Sequence, residues 1–225
     1  RYRVMKKLSV LLCIFLLSAC APSEVPSYTL VERNGIKYEG ISQMPFTGVS
    51  TEYYENGQLK YKVTYKDGEK HGLDEWYHDN GQLQYRHIYT DGKENGLYAS
   101  YHESGRLARI ATYKDGEEQG LVELFHENGQ LKYKITYKDG EKHGLNEWYH
   151  YNGQLQYRQT YKNGEEQGLE EWYYDNGQLQ FKGIYKDGKL NGLYEEYREN
   201  GQALKHSPTC YQNDKAVDIS ICKSL

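Results

Sequence analysis

The chain has 225 residues, 25 of them Tyr and 23 Gly but only 4 Phe, and a formal net charge of −4. Those numbers exclude an oily globular core and a basic, phosphate-binding face. They suit a thin β-sheet of half-buried aromatics whose turns need glycine.

The first twenty residues differ from the rest. Met5-Lys6-Lys7 reads as a start with a basic n-region, which places Arg1 to Val4 upstream of it. Leu8 to Leu17 is an apolar run of ten residues, too short to span a bilayer and typical of a secretory signal. It ends in Leu17-Ser18-Ala19-Cys20, which resembles the lipobox of bacterial lipoproteins. That resemblance implies loss of residues 1–19 and acylation of Cys20, with multiple acyl chains giving a stable membrane anchor. An ordinary signal peptide cut after Ala19 is the alternative. Ala21, with no Asp in its place, favours an outer-membrane address if the source has one, so the expected location is the bacterial cell envelope. Removing residues 1–19 takes four of the 28 basic residues and none of the 32 acidic ones, which argues further against nucleic acid as a partner.

Residues 20–27, with Pro22 and Pro26, read as a lipid-anchored tether, and 28–47 as an N-terminal cap hairpin turning at Asn34-Gly35, with Glu32 opposite Lys37. Pro45 suits a sheet edge. From 48 to 206 the sequence repeats every 24 residues. Asn-Gly-Gln-Leu recurs with its Gly at 57, 81, 129, 153 and 177, while Gly105 and Gly201 fill the remaining places. Further glycine columns run from Gly68 to Gly188 and from Gly72 to Gly192.

Asn-Gly between alternating runs predicts a two-residue type I′ hairpin turn, with 79 opposite 82. One face then pairs Glu75 with Arg86, Glu123 with Lys134, Glu147 with Arg158 and Glu171 with Lys182. The other pairs Trp76 with Tyr85, Leu124 with Tyr133, Trp148 with Tyr157 and Trp172 with Phe181. Substitutions are matched: Ala99 faces Ile110, Ser100 faces Arg109 and Glu196 faces Lys205. Such cross-strand pairs fix the register. The Asp-Gly turns, such as Asp91-Gly92, read as looser loops of three to five residues. The predicted fold is all-β: an elongated antiparallel β-meander built from tandem 24-residue hairpin repeats.

Residues 207–225 leave the repeat and read as a C-terminal cap. Cys210 and Cys222, with eleven residues between them in an exported chain, predict a disulfide. Two free thiols or half a metal site are the alternatives.

No cofactor, metal or catalytic constellation is expected. His78, His102, His126 and His150 form a column, but successive members sit about 10 Å apart, too far to share an ion, and read as solvated strand-end residues. The pairs Glu117-Glu118, Glu165-Glu166 and Glu170-Glu171 read as a solvated acidic face. The binding candidate is the aromatic row of Trp76, Tyr85, Tyr133, Trp148, Tyr157, Trp172 and Phe181. It would stack on sugar rings, take a partner peptide or meet a second copy, unless twist buries the row on itself.

The unit Gly-Leu-x-Glu-Trp-Tyr-x-x-Asn-Gly-Gln-Leu, followed by Tyr-Lys-Asp-Gly, resembles the variant form of the MORN (membrane occupation and recognition nexus) repeat over roughly Met44 to Leu204. The resemblance implies an elongated antiparallel sheet, a role as scaffold or in protein or membrane association, and no catalytic residues. Some bacterial members are labelled antitoxins. The expected function is a non-catalytic, lipid-anchored envelope protein presenting a surface to a protein or envelope component. The alternatives are an antitoxin or immunity-type protein and, more weakly, a protein binding or acting on envelope glycans.

Overall fold

The computed structural model describes residues 22–223; the signal segment and Cys20 lie outside them. An 18-stranded sheet runs through the chain, and Leu30–Arg33 with Ile36–Glu39 forms a separate two-stranded sheet. Each repeat supplies an outgoing strand, such as Glu165–Tyr173, and a return strand, such as Leu179–Lys186, each antiparallel to its neighbours. The strand bodies carry the expected register: Glu75 opposite Arg86, Trp76 opposite Tyr85, Glu147 opposite Arg158, Trp172 opposite Phe181 and Ala99 opposite Ile110.

The two kinds of turn are exchanged relative to expectation. At Asp79-Asn80-Gly81 the carbonyl of His78 accepts from Gly81 at 2.9 Å, and the His78 N–H donates to Gln82 O at 2.8 Å. Gly81 has φ +82° while Asn80 stays out of the left-handed region, so this is a three-residue loop with a type I turn and a glycine bulge. The register shift between Trp76 and Tyr77 restores the expected pairing in the strand body. The Asp-Gly turns are the two-residue type I′ turns, with Asp91 at φ 47°, Gly92 at φ 75° and Thr90 opposite Lys93. Asn34-Gly35 does form the expected type I′ turn, and Lys37 meets Glu32 at 3.0 Å.

The Asn-Gly turns also reach beyond their own hairpin. Asn80 Oδ1 accepts from the Gln82 N–H at 2.9 Å, and its Nδ2 donates to Glu103 O at 2.9 Å, in the next repeat. Asn56, Asn128, Asn152 and Asn176 do the same, 2.8–3.1 Å from the carbonyls of Asp79, Tyr151, Asp175 and Glu199. The histidine column joins this rim. Nε2 of His78, His102, His126 and His150 lies 3.0–3.2 Å from the carbonyls of Tyr101, Phe125, Tyr149 and Tyr173. Facing an acceptor, each Nε2 is the donor. These are half-buried turn ties, not solvated strand ends. The opposite rim is tied as well: the N–H groups of Gly92, Gly116 and Gly164 donate to Lys70 O, Glu94 O and Lys142 O at 2.9–3.0 Å.

Both ends depart from the expected layout. Glu24–Pro26, read as tether, adds a parallel strand to Gly48–Tyr53, because Ser23 O accepts from Val49 at 2.7 Å. At the far end Glu196 does not meet Lys205. The last outgoing strand, Lys189–Glu196, instead receives Thr209–Gln212, with Leu193 opposite Cys210. Lys215–Val217 and the short helix Ile219–Cys222 follow, and Cys210 is bonded to Cys222 with Cα atoms 5.8 Å apart.

The core is a line rather than a ball. Ala111, Val122 and Ile135 are almost fully buried on one face, covered by Tyr98, Tyr113, Leu124, Tyr133 and Tyr137. The tyrosines close over small and branched residues that a single-layer sheet would otherwise leave wet.

Candidate binding faces

Strand alternation gives the sheet an inner face, carrying Trp76 and Tyr85, and an outer face, carrying Leu73 and Glu75. On the inner face the aromatic row packs on itself, stacked at Trp76–Tyr85 and Trp172–Phe181 and edge-on at Tyr133–Trp148. Ring centroids lie 4.7 Å apart for Tyr61–Trp76, 5.7 Å for Trp76–Tyr85, 4.9 Å for Tyr133–Trp148, 4.6 Å for Tyr157–Trp172 and 5.7 Å for Trp172–Phe181. Burial pushes the phenols of Tyr85, Tyr133 and Tyr157 above their ordinary range. The rings are half-buried to buried except Trp148, which is 41 % exposed. Ser100, Arg109 and Leu124 interrupt the row in mid-array.

Trp76 Nε1 donates to Asp74 at 2.8 Å and Trp172 Nε1 to Glu170 at 2.9 Å. In the equivalent place before Trp148 stands Asn146, and here a cavity of about 320 Å³ opens, lined by Lys142, Asn146, Trp148, Gln156, Tyr157, Tyr161 and Trp172. Of these only Trp148, Tyr157 and Trp172 follow from the aromatic pattern. The sequence signal for the rest is Asn146, which stands two residues before its tryptophan where the other two tryptophan repeats carry Asp74 and Glu170.

The acidic pairs are less solvated than expected. Glu118 accepts from Arg109 and from Tyr113 Oη at 3.2 Å, Glu166 from Tyr161 Oη at 3.3 Å, and Glu170 Oε2 is buried. These carboxylates hold the tyrosine row. His87, outside the noted column, sits inside the inner face with Nδ1 3.1 Å from Glu94. Burial lowers its pKa, against the raising influence of Glu94. Among the described residues no three His, Cys, Asp or Glu side chains gather at metal-binding spacing.

The outer face carries two parallel features. One is a ladder of alternating charge, with ion pairs Lys134–Glu147 at 2.6 Å, Arg158–Glu171 and Lys182–Glu195 at 2.9 Å. These pairs join successive hairpins. Beside the ladder runs an aliphatic stripe of Leu73, Leu97, Leu121, Leu145 and Leu169, one per repeat and each 37–50 % exposed.

Six consecutive segments, residues 46–67, 70–91, 94–115, 118–139, 142–163 and 166–187, match the MORN repeat variant family, together covering more than half of the chain. The chain belongs to the MORN repeat variant family. MORN repeats are non-enzymatic modules that commonly bind proteins or membranes. The spacing between successive matches is the 24-residue hairpin period, so each unit of this MORN-repeat chain is one outgoing strand, one return strand and their turns. No curated protein matches the chain.

Proposed function

We propose that this MORN-repeat protein is a non-catalytic scaffold, held at the bacterial cell envelope by a lipid on Cys20, that docks a protein partner along its outer face. The observation that carries this reading is the exposed stripe of Leu73, Leu97, Leu121, Leu145 and Leu169, widened by Ile88 and Ile184. Exposed leucines repeated in line along one face, with Thr136 and Thr160 between them, form an apolar stripe that supports an interaction site. Stripe residues recur every two strands, or about 10 Å. Successive heptads of an α-helix advance about 10.5 Å. The partner chemistry that fits is therefore an amphipathic helix with one apolar side chain per heptad, its polar flanks against the charge ladder.

The test uses the intact chain and its Leu121→Asp/Leu145→Asp variant. A partner retained from envelope extracts by the intact chain is purified and its direct affinity for both is measured. The variant should melt with the parent and bind at least about tenfold more weakly, the loss expected of a desolvated contact. Equal affinities would refute the outer-face reading. For the anchor, Cys20→Ala should move the chain out of the membrane fraction, and a variant that stays there refutes lipidation at Cys20.

A further inference from the structure

One of the three tryptophan repeats, that of Trp148, is built differently from the other two. Trp76 and Trp172 are each tied to a carboxylate two residues earlier, Asp74 and Glu170. Asn146 replaces that acid, is only 2 % exposed, and its Oδ1 has no hydrogen-bond partner. Trp148 is more exposed than the other two tryptophans and packs edge-on against Tyr133, and the cavity lies beside it. Gln159, the register partner of Asn146, is fully buried with neither Oε1 nor Nε2 partnered. Buried amide groups left without partners are costly and rare, and of these two Asn146 lines the cavity, where a bound hydroxylated ligand can reach it.

We propose that this cavity is a saccharide site that takes one pyranose ring of an uncharged glycan. The faces of Trp148, Tyr157 and Trp172 offer π surfaces on which the C–H face of a sugar ring stacks. Asn146 carries both an acceptor and donors, matching sugar hydroxyls, which also do both. No carboxylate lines the cavity, so a cationic ligand finds no counter-charge there. Lys142 is the one charge in the lining, and its ammonium is engaged 5.1 Å from the Tyr161 ring centroid. At about 320 Å³ the space lies at the small end of ligand sites, which suits a single ring rather than a peptide segment. The site is on the inner face and does not depend on the outer-face docking proposed above.

The full chain is titrated with cellobiose, maltose and di-N-acetylchitobiose, followed by tryptophan fluorescence and by saturation-transfer NMR. At least one should give a saturable change that Trp148→Ala weakens at least about tenfold. Asn146→Asp recreates the arrangement of the sister repeats. It should draw Trp148 inward, shift its emission to the blue without ligand, and abolish sugar binding while leaving the melting temperature undiminished. Trp76→Ala and Leu121→Asp should leave sugar affinity unchanged. No saturable change with any of the three sugars, or binding that survives both Trp148→Ala and Asn146→Asp, overturns the assignment.

Discussion

The outer-face ladder allows a direct test of which neighbour each charge uses. Glu147 is opposite Arg158 within its own hairpin and opposite Lys134 in the preceding one, but its ion pair is with Lys134, at 2.6 Å. Glu147 is 12 % exposed and Lys134 35 %. At an effective dielectric near 20 the bare attraction over 4 Å is about 4 kcal/mol. Desolvation and side-chain ordering cancel most of it, leaving about 0.5–1 kcal/mol for a pair this exposed. The Glu147–Arg158 coupling should be smaller, under about 0.3 kcal/mol, because Arg158 is committed to Glu171. Two double-mutant cycles measure both: Lys134→Met with Glu147→Gln, and Arg158→Met with Glu147→Gln. Each variant is unfolded in urea and followed by both fluorescence and circular dichroism, whose transitions must coincide for the bookkeeping to hold. A larger coupling to Arg158 than to Lys134 would refute the between-hairpin pairing.

Ile135→Ala, at a position with no exposed surface, should cost about 3 kcal/mol and lower the melting temperature by about 6–12 °C; a loss below about 1 kcal/mol would show that the line of buried side chains does not act as a core. Because burial holds the His87 pKa below its ordinary 6.5, the unfolded chain takes up that proton first as pH falls. Stability should therefore be full above about pH 6.5 and decline below it, and His87→Ile, which copies Ile135 from the same column of the repeat, should flatten the decline. An unchanged pH profile would rule His87 out as its source. Reducing the Cys210–Cys222 bond, a separation of 12 residues, should cost about 3 kcal/mol, and hydrogen exchange should place the loss in Thr209–Cys222; uniform loss of protection along the array would contradict a local cap.

Much of the strand body was legible because paired substitutions record it. Ala99 with Ile110 and Glu147 with Arg158 fix both face and register within a few residues of each other. The turn type was not legible from Asn-Gly, because the Asn side chain accepts from the N–H two residues on, at Asn80 as at Asn200, and holds a bulged three-residue loop. A glycine at positive φ serves both a two-residue type I′ turn and a type I turn with a glycine bulge, so the dipeptide alone does not choose between them. The bulge then hides the difference by restoring the pairing farther along. Trp148 looks equivalent to Trp76 and Trp172 in the pattern, and only the acid-to-Asn change at 146 sets it apart.

The rim ties give the array a length that the chain can count. Eighteen strands form sixteen ranks, since two outgoing strands are each split by a bulge, and at nearly 5 Å per rank the contour is about 70 Å. The edge links recur in every unit with substitutions, Tyr54 and Tyr174 standing in for His and Arg106 reaching Glu127 O where Ser104 replaces Asn, so a hairpin can be inserted or removed between equivalent turns without exposing a new end. Each such change alters the reach by about 10 Å and leaves the Glu24–Pro26 strand and the disulfide-closed cap as they are. The protein is in that sense a ruler graduated in hairpins, and its repeat number sets how far from one end anything bound at the other is held.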